Sequence, residues 1–326
     1  MGGLHNSITN AFGVQKVFRE KGNYKNSDST LLIRKTKDSQ IPARYQLCRH
    51  CSKAGYPWLE SYHLSRDGKP YVLYEGEYYV MTDLIGHPEA DFNNEAEFLQ
   101  TVTALASFHK VARGIEIGEK IPPLTEEMRI QGAKIDGIRK RIRKHNKLSD
   151  FDLMFVKNYS DYRDRIKRAC QLLENTGYFK REANAFKQGH ICHGALKENC
   201  LRVYGHDIYI CKFESAYRGY QLRDLAELIR RREKKLIGKA EEFEEAAGDE
   251  TEKGIKLIKN GINLSRICET YSQVLPLDPE EEVILGAMLL YPAAFVKISL
   301  EYYQKKRSWT PVSMANKMQE ILTNIT

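Results

Sequence analysis

The sequence predicts an α+β protein of two lobes: a small β-rich lobe over residues 1–86 and a larger helical lobe over 87–326. Three observations carry this. β-branched and aromatic runs separated by turn signals crowd the first part of the chain. After Gly86 the apolar residues change from alternation to helical spacing. One short strand-like hairpin, 190–214, interrupts helices that otherwise run to the C-terminus. No internal repeat is visible.

Taken in order, Thr30–Lys35 is an apolar, β-branched run ending in bases. Pro42–Ala54 reads as a helix, with the proline tolerated in its first turn and Gly55 as its stop. Tyr71–Tyr74 and Glu77–Met81 flank Glu75-Gly76, a hairpin signal, and the turn Arg66–Pro70 precedes them. Lys21-Gly22-Asn23-Tyr24 offers a single glycine and reads as another hairpin turn. Residues 95–113 place Phe98, Val102, Leu105 and His109 at helical spacing. Residues 125–145 form a basic helix with Ile130, Ile135, Ile138 and Ile142 as its apolar side. Residues 150–176 form another, with Leu153, Val156, Tyr159, Tyr162, Ile166 and Leu173 apolar. Helices dominate again from Leu222, and Glu241–Glu252, seven acids without a base, reads as a solvated stretch.

Hydrophobic residues at 42% and charged residues at 29% are ordinary for a globular chain and exclude global disorder. No run is expected to reach the roughly 18 apolar residues of a membrane span. The N-terminus lacks a basic stretch followed by an apolar one, so no secretory signal is expected. The net charge of +8 is local: Arg129–Lys147 carries eight bases against one acid, Asp136. No aromatics interleave there for base stacking, so an acidic protein partner ranks first, a membrane surface second and nucleic acid last. The seven cysteines are odd in number and read as reduced thiols. Cys48 and Cys51 have metal spacing but no second pair completes a four-ligand zinc site, so no metal is expected. Cys192, Cys200 and Cys211 read as small apolar fillers. Among the 19 tyrosines, Tyr71, Tyr74, Tyr78, Tyr79, Tyr302 and Tyr303 are equally explained by packing and by surface contacts.

The segment Ile191-Cys-His-Gly-Ala-Leu-Lys-Glu-Asn-Cys-Leu-Arg-Val203 resembles the catalytic loop of aminoglycoside phosphotransferase and choline-kinase-like proteins, H-G-D-x-x-x-x-N followed by apolar residues. Ile208-Tyr-Ile-Cys-Lys-Phe-Glu214 resembles their metal-binding strand, and Arg223-Asp224-Leu225-Ala226 the structural R-D-L-A after it. Leu105-Ala-Ser-Phe-His109 matches their L-A-x-[FL]-H helix. Gly68–Tyr71, Tyr78–Thr82, Leu289–Pro292, Phe295 and Tyr302-Tyr303 resemble one branch, the CotS-type and YutH-like spore coat proteins. The resemblance implies a bilobal, protein kinase-like fold of the aminoglycoside phosphotransferase type.

Phosphoryl transfer rests on positioning and charge stabilisation, so each part can be checked against the residues present. By the resemblance, the orienting acid belongs two residues after His193, where Ala195 stands, and a methyl accepts no proton. The magnesium-binding asparagine belongs where Cys200 stands, with Asn199 one place short; a thiol is a poor ligand for a hard cation. The metal aspartate belongs where Lys212 stands, which reverses the sign of a pair interaction of about 4 kcal/mol at about 4 Å and an effective dielectric of ~20. Arg34 takes the place of the phosphate-anchoring lysine, with Lys35 beside it facing the other way. Residues 41–59 contain no acid, so the usual ion pair to a helix glutamate is expected to be missing, Glu60 being among the nearest acids. Glu214 is expected to pair with Lys212, His193 to bond backbone, and Asp224 to hold the loop.

These replacements point to a pseudokinase, and the resemblance to a spore coat or coat-associated protein. It is expected to be made in the mother-cell cytoplasm and to act through contacts with other coat proteins, with the basic helix meeting an acidic surface. No cofactor is expected on that reading. Two alternatives stay open: a phosphotransferase with an atypical site using Glu198, Asn199 and Glu214 with ATP and magnesium, or a nucleotide-binding regulator contacting phosphates through Arg34, Lys35 and Lys212.

Overall fold

The computed structural model describes residues 2–14, 17–20, 23–26, 31–37, 40–116, 121–247, 263–304 and 311–323. It divides into two compact units, one formed by 1–120 with 184–277 and the other by 121–183 with 278–326. The first unit therefore holds both the sheet that ends before Gly86 and the loops that carry the chemistry-bearing motifs.

In that unit, helix α1 (Gly2–Phe12) precedes strands β1 (Val17–Glu20), β2 (Asn23–Asn26) and β3 (Leu31–Thr36). Helix α2 (Ile41–Lys53) follows, then β4 (Tyr62–His63), β5 (Val72–Tyr74) and β6 (Glu77–Asp83). The sheet runs β1-β2-β3-β6-β4, with β5 also paired to β6, and all its pairings are antiparallel. The turn expected at 21–22 lies outside the described residues. At Glu75-Gly76 both residues have positive φ, 50° and 78°, the two-residue hairpin turn whose twist matches the strands. Alternation sets the two faces of β3: Ile33 packs with Tyr79 and Met81 against Ile8 and Phe12 of α1, while Arg34 points the other way. Sequence patterning does not mark α1, of whose described residues the large side chains Ile8 and Phe12 face inward one turn apart.

Helix α3 (Glu95–Val111) starts where the Asn94 side chain accepts the amides of Ala96 and Glu97, and it buries Phe98, Val102, Leu105, Phe108 and His109. After residue 184 come β7 (Ile191–Cys192), the antiparallel hairpin β8 (Leu201–Tyr204) and β9 (Asp207–Ile210), then β10 (Tyr217–Arg218), which pairs with β7. Helix α7 (Leu222–Ala247), numbered after the three helices below, and the helix Leu264–Ser272 complete the unit. Of the acidic stretch 241–252, residues through Ala247 belong to α7, and the remainder lies outside the described residues.

The second unit is helical: α4 (Leu124–Ile142), α5 (Asp150–Asn175), α6 (Tyr178–Lys187, shared with the first unit) and the C-terminal helices Pro279–Leu290, Ala293–Gln304 and Pro311–Thr323. Two apolar assignments are corrected here. Ile130 is 49% exposed, and α4 instead buries Met128, Ile135, Ile138 and Ile142. Leu153 is 54% exposed, and α5 buries Phe151, Phe155, Tyr162, Ile166 and Leu173. By length and composition alone, Pro279–Gln304 is long and apolar enough for a membrane span. It is nevertheless two helices interrupted at Tyr291-Pro292, and 56% of its most apolar window is buried. Tyr302 stacks on Phe151 with ring centroids 3.9 Å apart, so this tyrosine pair is tied into packing.

Candidate functional site

Arg34 projects from β3 into a cluster of acids. Its Nη2 donates to Glu60 Oε1 at 2.7 Å, and its Nη1 donates to Glu214 Oε1. The other Glu60 oxygen accepts the Tyr62 hydroxyl and the Lys212 amide, both at 3.1 Å. Glu60 is only 4% exposed, so its oxygens are satisfied by these partners rather than by water. Burial works against a charged Arg34, but the two carboxylates outweigh it and raise its pKa above the ordinary value. Burial likewise opposes ionised Glu214, yet Arg34 holds that carboxyl below the usual range.

Backbone pairing brings Glu60 to this place. Trp58–Glu60 runs beside the end of β9: the Ile210 amide donates to the Trp58 carbonyl at 2.8 Å and the Glu60 amide to the Ile210 carbonyl at 2.9 Å. The expected lack of an acid opposite Arg34 is thus corrected. Helix α2 supplies none, and the partner arrives from the segment after it. Helix α2 turns a base inward instead: Arg44, 4% exposed, donates to the Glu214 carbonyl at 3.4 Å. The expected pair between Lys212 and Glu214 is corrected too, because Glu214 is bound to Arg34. Among the described residues the Lys212 side chain makes no ion pair. Its backbone is left-handed, at φ 66° and ψ 60°, a conformation that costs a side-chain-bearing residue on the order of 1 kcal/mol or more.

The loop 193–195 is fastened from three sides. Asp224 accepts the His193 amide at 2.5 Å, the Gly194 amide at 2.9 Å and His109 Nε2 at 3.2 Å. His109 Nδ1 in turn meets the Tyr271 hydroxyl at 2.7 Å. Gln221 Nε2 donates to the carbonyls of His109 at 2.8 Å and Ile191 at 3.2 Å. His193 is fully buried; its Nε2 donates to the Cys211 carbonyl at 3.0 Å, and its Nδ1 faces the Ala195 amide at 3.4 Å. Burial pushes the pKa of both histidines down, which keeps them neutral donors. Burial opposes ionised Asp224, but the bonds from His109 and the loop amides hold it below the usual range. Gly194 has φ +80°, and a Cβ there would lie 2.2 Å from the Ser215 carbonyl, so only glycine fits. Phe213 fills the space between Phe108 and His193, with centroids 5.6 and 4.9 Å away.

The remaining positions do not converge on Arg34. Ala195 presents a methyl, Asn199 is exposed and accepts the Cys200 thiol at 3.4 Å, and Cys200 is buried. Glu198 accepts the Phe92 amide at 3.2 Å and pairs with Lys235 at 3.3 Å. Lys35, on the opposite face of β3 from Arg34, pairs with Glu77 at 2.9 Å. Cys48 and Cys51 are buried on α2, and burial pushes the Cys51 thiol up to about 12. Among the described residues no group of three or more His, Cys, Asp or Glu side chains is arranged to hold a metal. A magnesium nucleotide is poorly matched by this donor set, which offers a methyl, a thiol and an ammonium, with Glu214 already engaged. Local sequence pattern had no means of assigning Glu60, Tyr62, Arg44 or Gln221; the one hint was that Glu60 ends an acid-free stretch.

Solved structures give the fold. An aminoglycoside phosphotransferase from Alicyclobacillus acidocaldarius aligns with a TM-score of 0.81 at 15% identity, covering 98% of this chain and 91% of that one. A spectinomycin phosphotransferase bound to AMP aligns with a TM-score of 0.60 at 12% identity, covering 98% and 92%. The amicoumacin kinase hAmiN aligns with a TM-score of 0.55 at 13% identity, covering 99% and 92%. The architecture is therefore the kinase-like fold of the aminoglycoside phosphotransferase type. Comparison with curated proteins gives no match. The sequence profile described as "Spore coat putative kinase YutH" matches residues 9–248. With most of its length matched, a phosphotransferase-type fold and a spore coat location implied by the match, the chain belongs to the YutH family of spore coat kinase-like proteins.

Proposed function

We propose that this protein is a catalytically silent kinase-fold member of the spore coat that acts through protein–protein contacts. One observation carries the reading: the scaffold of the catalytic loop is bonded throughout while the positions that would do chemistry hold Ala195 and Lys212, and Arg34 is taken up by Glu60 and Glu214. Ala195 offers no carboxylate to orient an acceptor hydroxyl, and an ammonium stands where a metal would need an anion. On this reading the protein is made in the mother cell and incorporated by contact with other coat proteins, which its spore coat family supports. Phosphotransfer from ATP and magnesium is expected to be absent in the purified protein and to remain at background until Ala195→Asp and Lys212→Asp are introduced together. Robust turnover by the unaltered chain overturns the proposal.

A second reading, a nucleotide-binding regulator, draws on Lys212, whose ammonium has no acidic partner among the described residues. It predicts thermal stabilisation by ATP that does not depend on magnesium; the silent scaffold predicts none.

A further inference from the structure

The end of the α4–α5 hairpin combines two features that the sequence alone kept apart. Helix α4 closes at Ile142 and α5 opens at Asp150 with a Ser149 capping box, so a short connection places the last turn of one helix beside the first turn of the other. Lys140, Arg143, Lys144 and Lys147 are all exposed there, and none makes an ion pair among the described residues. Asp150 is the one exposed carboxylate in residues 139–150. The same connection and the first turn of α5 carry two large apolar side chains in solvent, Leu148 at 41% and Leu153 at 54% exposure. The inward positions of the first two turns of α5 are filled by Phe151, which stacks on Tyr302, by Asp152 and by Phe155, so neither leucine is drawn into the packing.

Cations at a helix C-terminus favour the helix dipole, which accounts for some of the charge. It does not account for bases continuing past the helix to Lys147, nor for leucines exposed among them. An acidic protein surface would use the cations and gain little from isolated leucines. A bilayer uses both, the cations meeting anionic headgroups and the leucines entering the interface. We infer that this basic, leucine-bearing tip docks on an anionic lipid surface, lying on it rather than crossing it. The inference is independent of whether the kinase-type site is silent.

The test is sedimentation of the full chain with vesicles of phosphatidylcholine containing about a third phosphatidylglycerol, against pure phosphatidylcholine, with poly-glutamate as a competing arm. Binding to the anionic vesicles only, weakened by salt, is expected. Each base near such a surface contributes about five-fold to partitioning, so replacing Lys140, Arg143, Lys144 and Lys147 by Gln should lower it by about 100-fold or more. Leu148→Ser with Leu153→Ser should lower it by about 10-fold while poly-glutamate binding stays unchanged. All six positions are exposed, and unchanged thermal melts verify that the variants fold. Absence of vesicle binding, binding indifferent to these substitutions, or poly-glutamate binding that outcompetes vesicles and ignores the leucines would each overturn the inference, the last in favour of an acidic protein partner.

Discussion

Two parts of the same small region have followed different rules. The bonds that hold the loop 193–195 form a closed set: Asp224 takes two loop amides and His109, His109 meets Tyr271, and Gln221 ties two further carbonyls. A few residues away, the positions to which the sequence resemblance would assign chemistry hold a methyl, an ammonium and an arginine bound to two acids of its own chain. The difference teaches that holding a catalytic loop and performing catalysis are separate physical tasks. The first depends on satisfying buried polar groups, a requirement of folding; the second on the identity of a few side chains that folding does not need.

The largest effect expected is on the retained side of that comparison. Asp224→Ala leaves the buried His193 amide, the partly buried Gly194 amide and His109 Nε2 without an acceptor and should cost about 3–5 kcal/mol, read from the urea midpoint. A cost within error would mean the loop does not depend on this carboxylate. Glu60→Ala should come next, at about 3 kcal/mol, because it strips Arg34, the Tyr62 hydroxyl and the Lys212 amide of a buried partner. Glu60→Gln should cost less, since it keeps an acceptor oxygen; equal losses would show that charge rather than shape is what Glu60 supplies.

A smaller effect concerns pH. His109 and His193 have pKa values lowered by burial, and burial followed by Arg113 pushes His190 down to about 4. Below about pH 6.5 the unfolded chain binds protons that these folded histidines refuse, so their contribution is complete above that pH and declines as pH falls toward 4. Asp224 and Glu214, held below the ordinary carboxylate range, add a second loss beginning near pH 4. Urea midpoints across pH 4–8 should therefore slope downward on the acid side; a flat profile would place the histidines in contact with water. The smallest effect is on the far face of β3, where Lys35→Ala breaks the solvent-exposed contact with Glu77 and should leave the midpoint unchanged, in contrast to Glu60→Ala across the same strand.

Much of this arrangement was legible before the fold. The Glu75-Gly76 turn, the helix following Pro42, the face of α3 from Phe98 to His109, and the opposite facing of Arg34 and Lys35 are consequences of φ preference and periodicity, which short stretches carry by themselves. The partner of Arg34 was not legible, although Glu60 was in view as a nearby acid. Its placement depends on Trp58–Glu60 pairing with the end of β9, a contact between segments about 150 residues apart. Ile130 and Leu153 failed for a related reason: each fits an apolar pattern on its helix, but the neighbouring helices determine which stripe is covered.

By itself the sequence determined which groups the resembling segments carry, because Ala195 and Lys212 keep a methyl and an ammonium wherever the chain places them. It also determined where helices and turns begin, since caps and backbone preferences act over a few residues. Only the tertiary structure decided which acid answers Arg34 and which leucines remain in water. Both are settled by burial and by pairing between distant segments, whose energies do not exist until the chain has closed on itself.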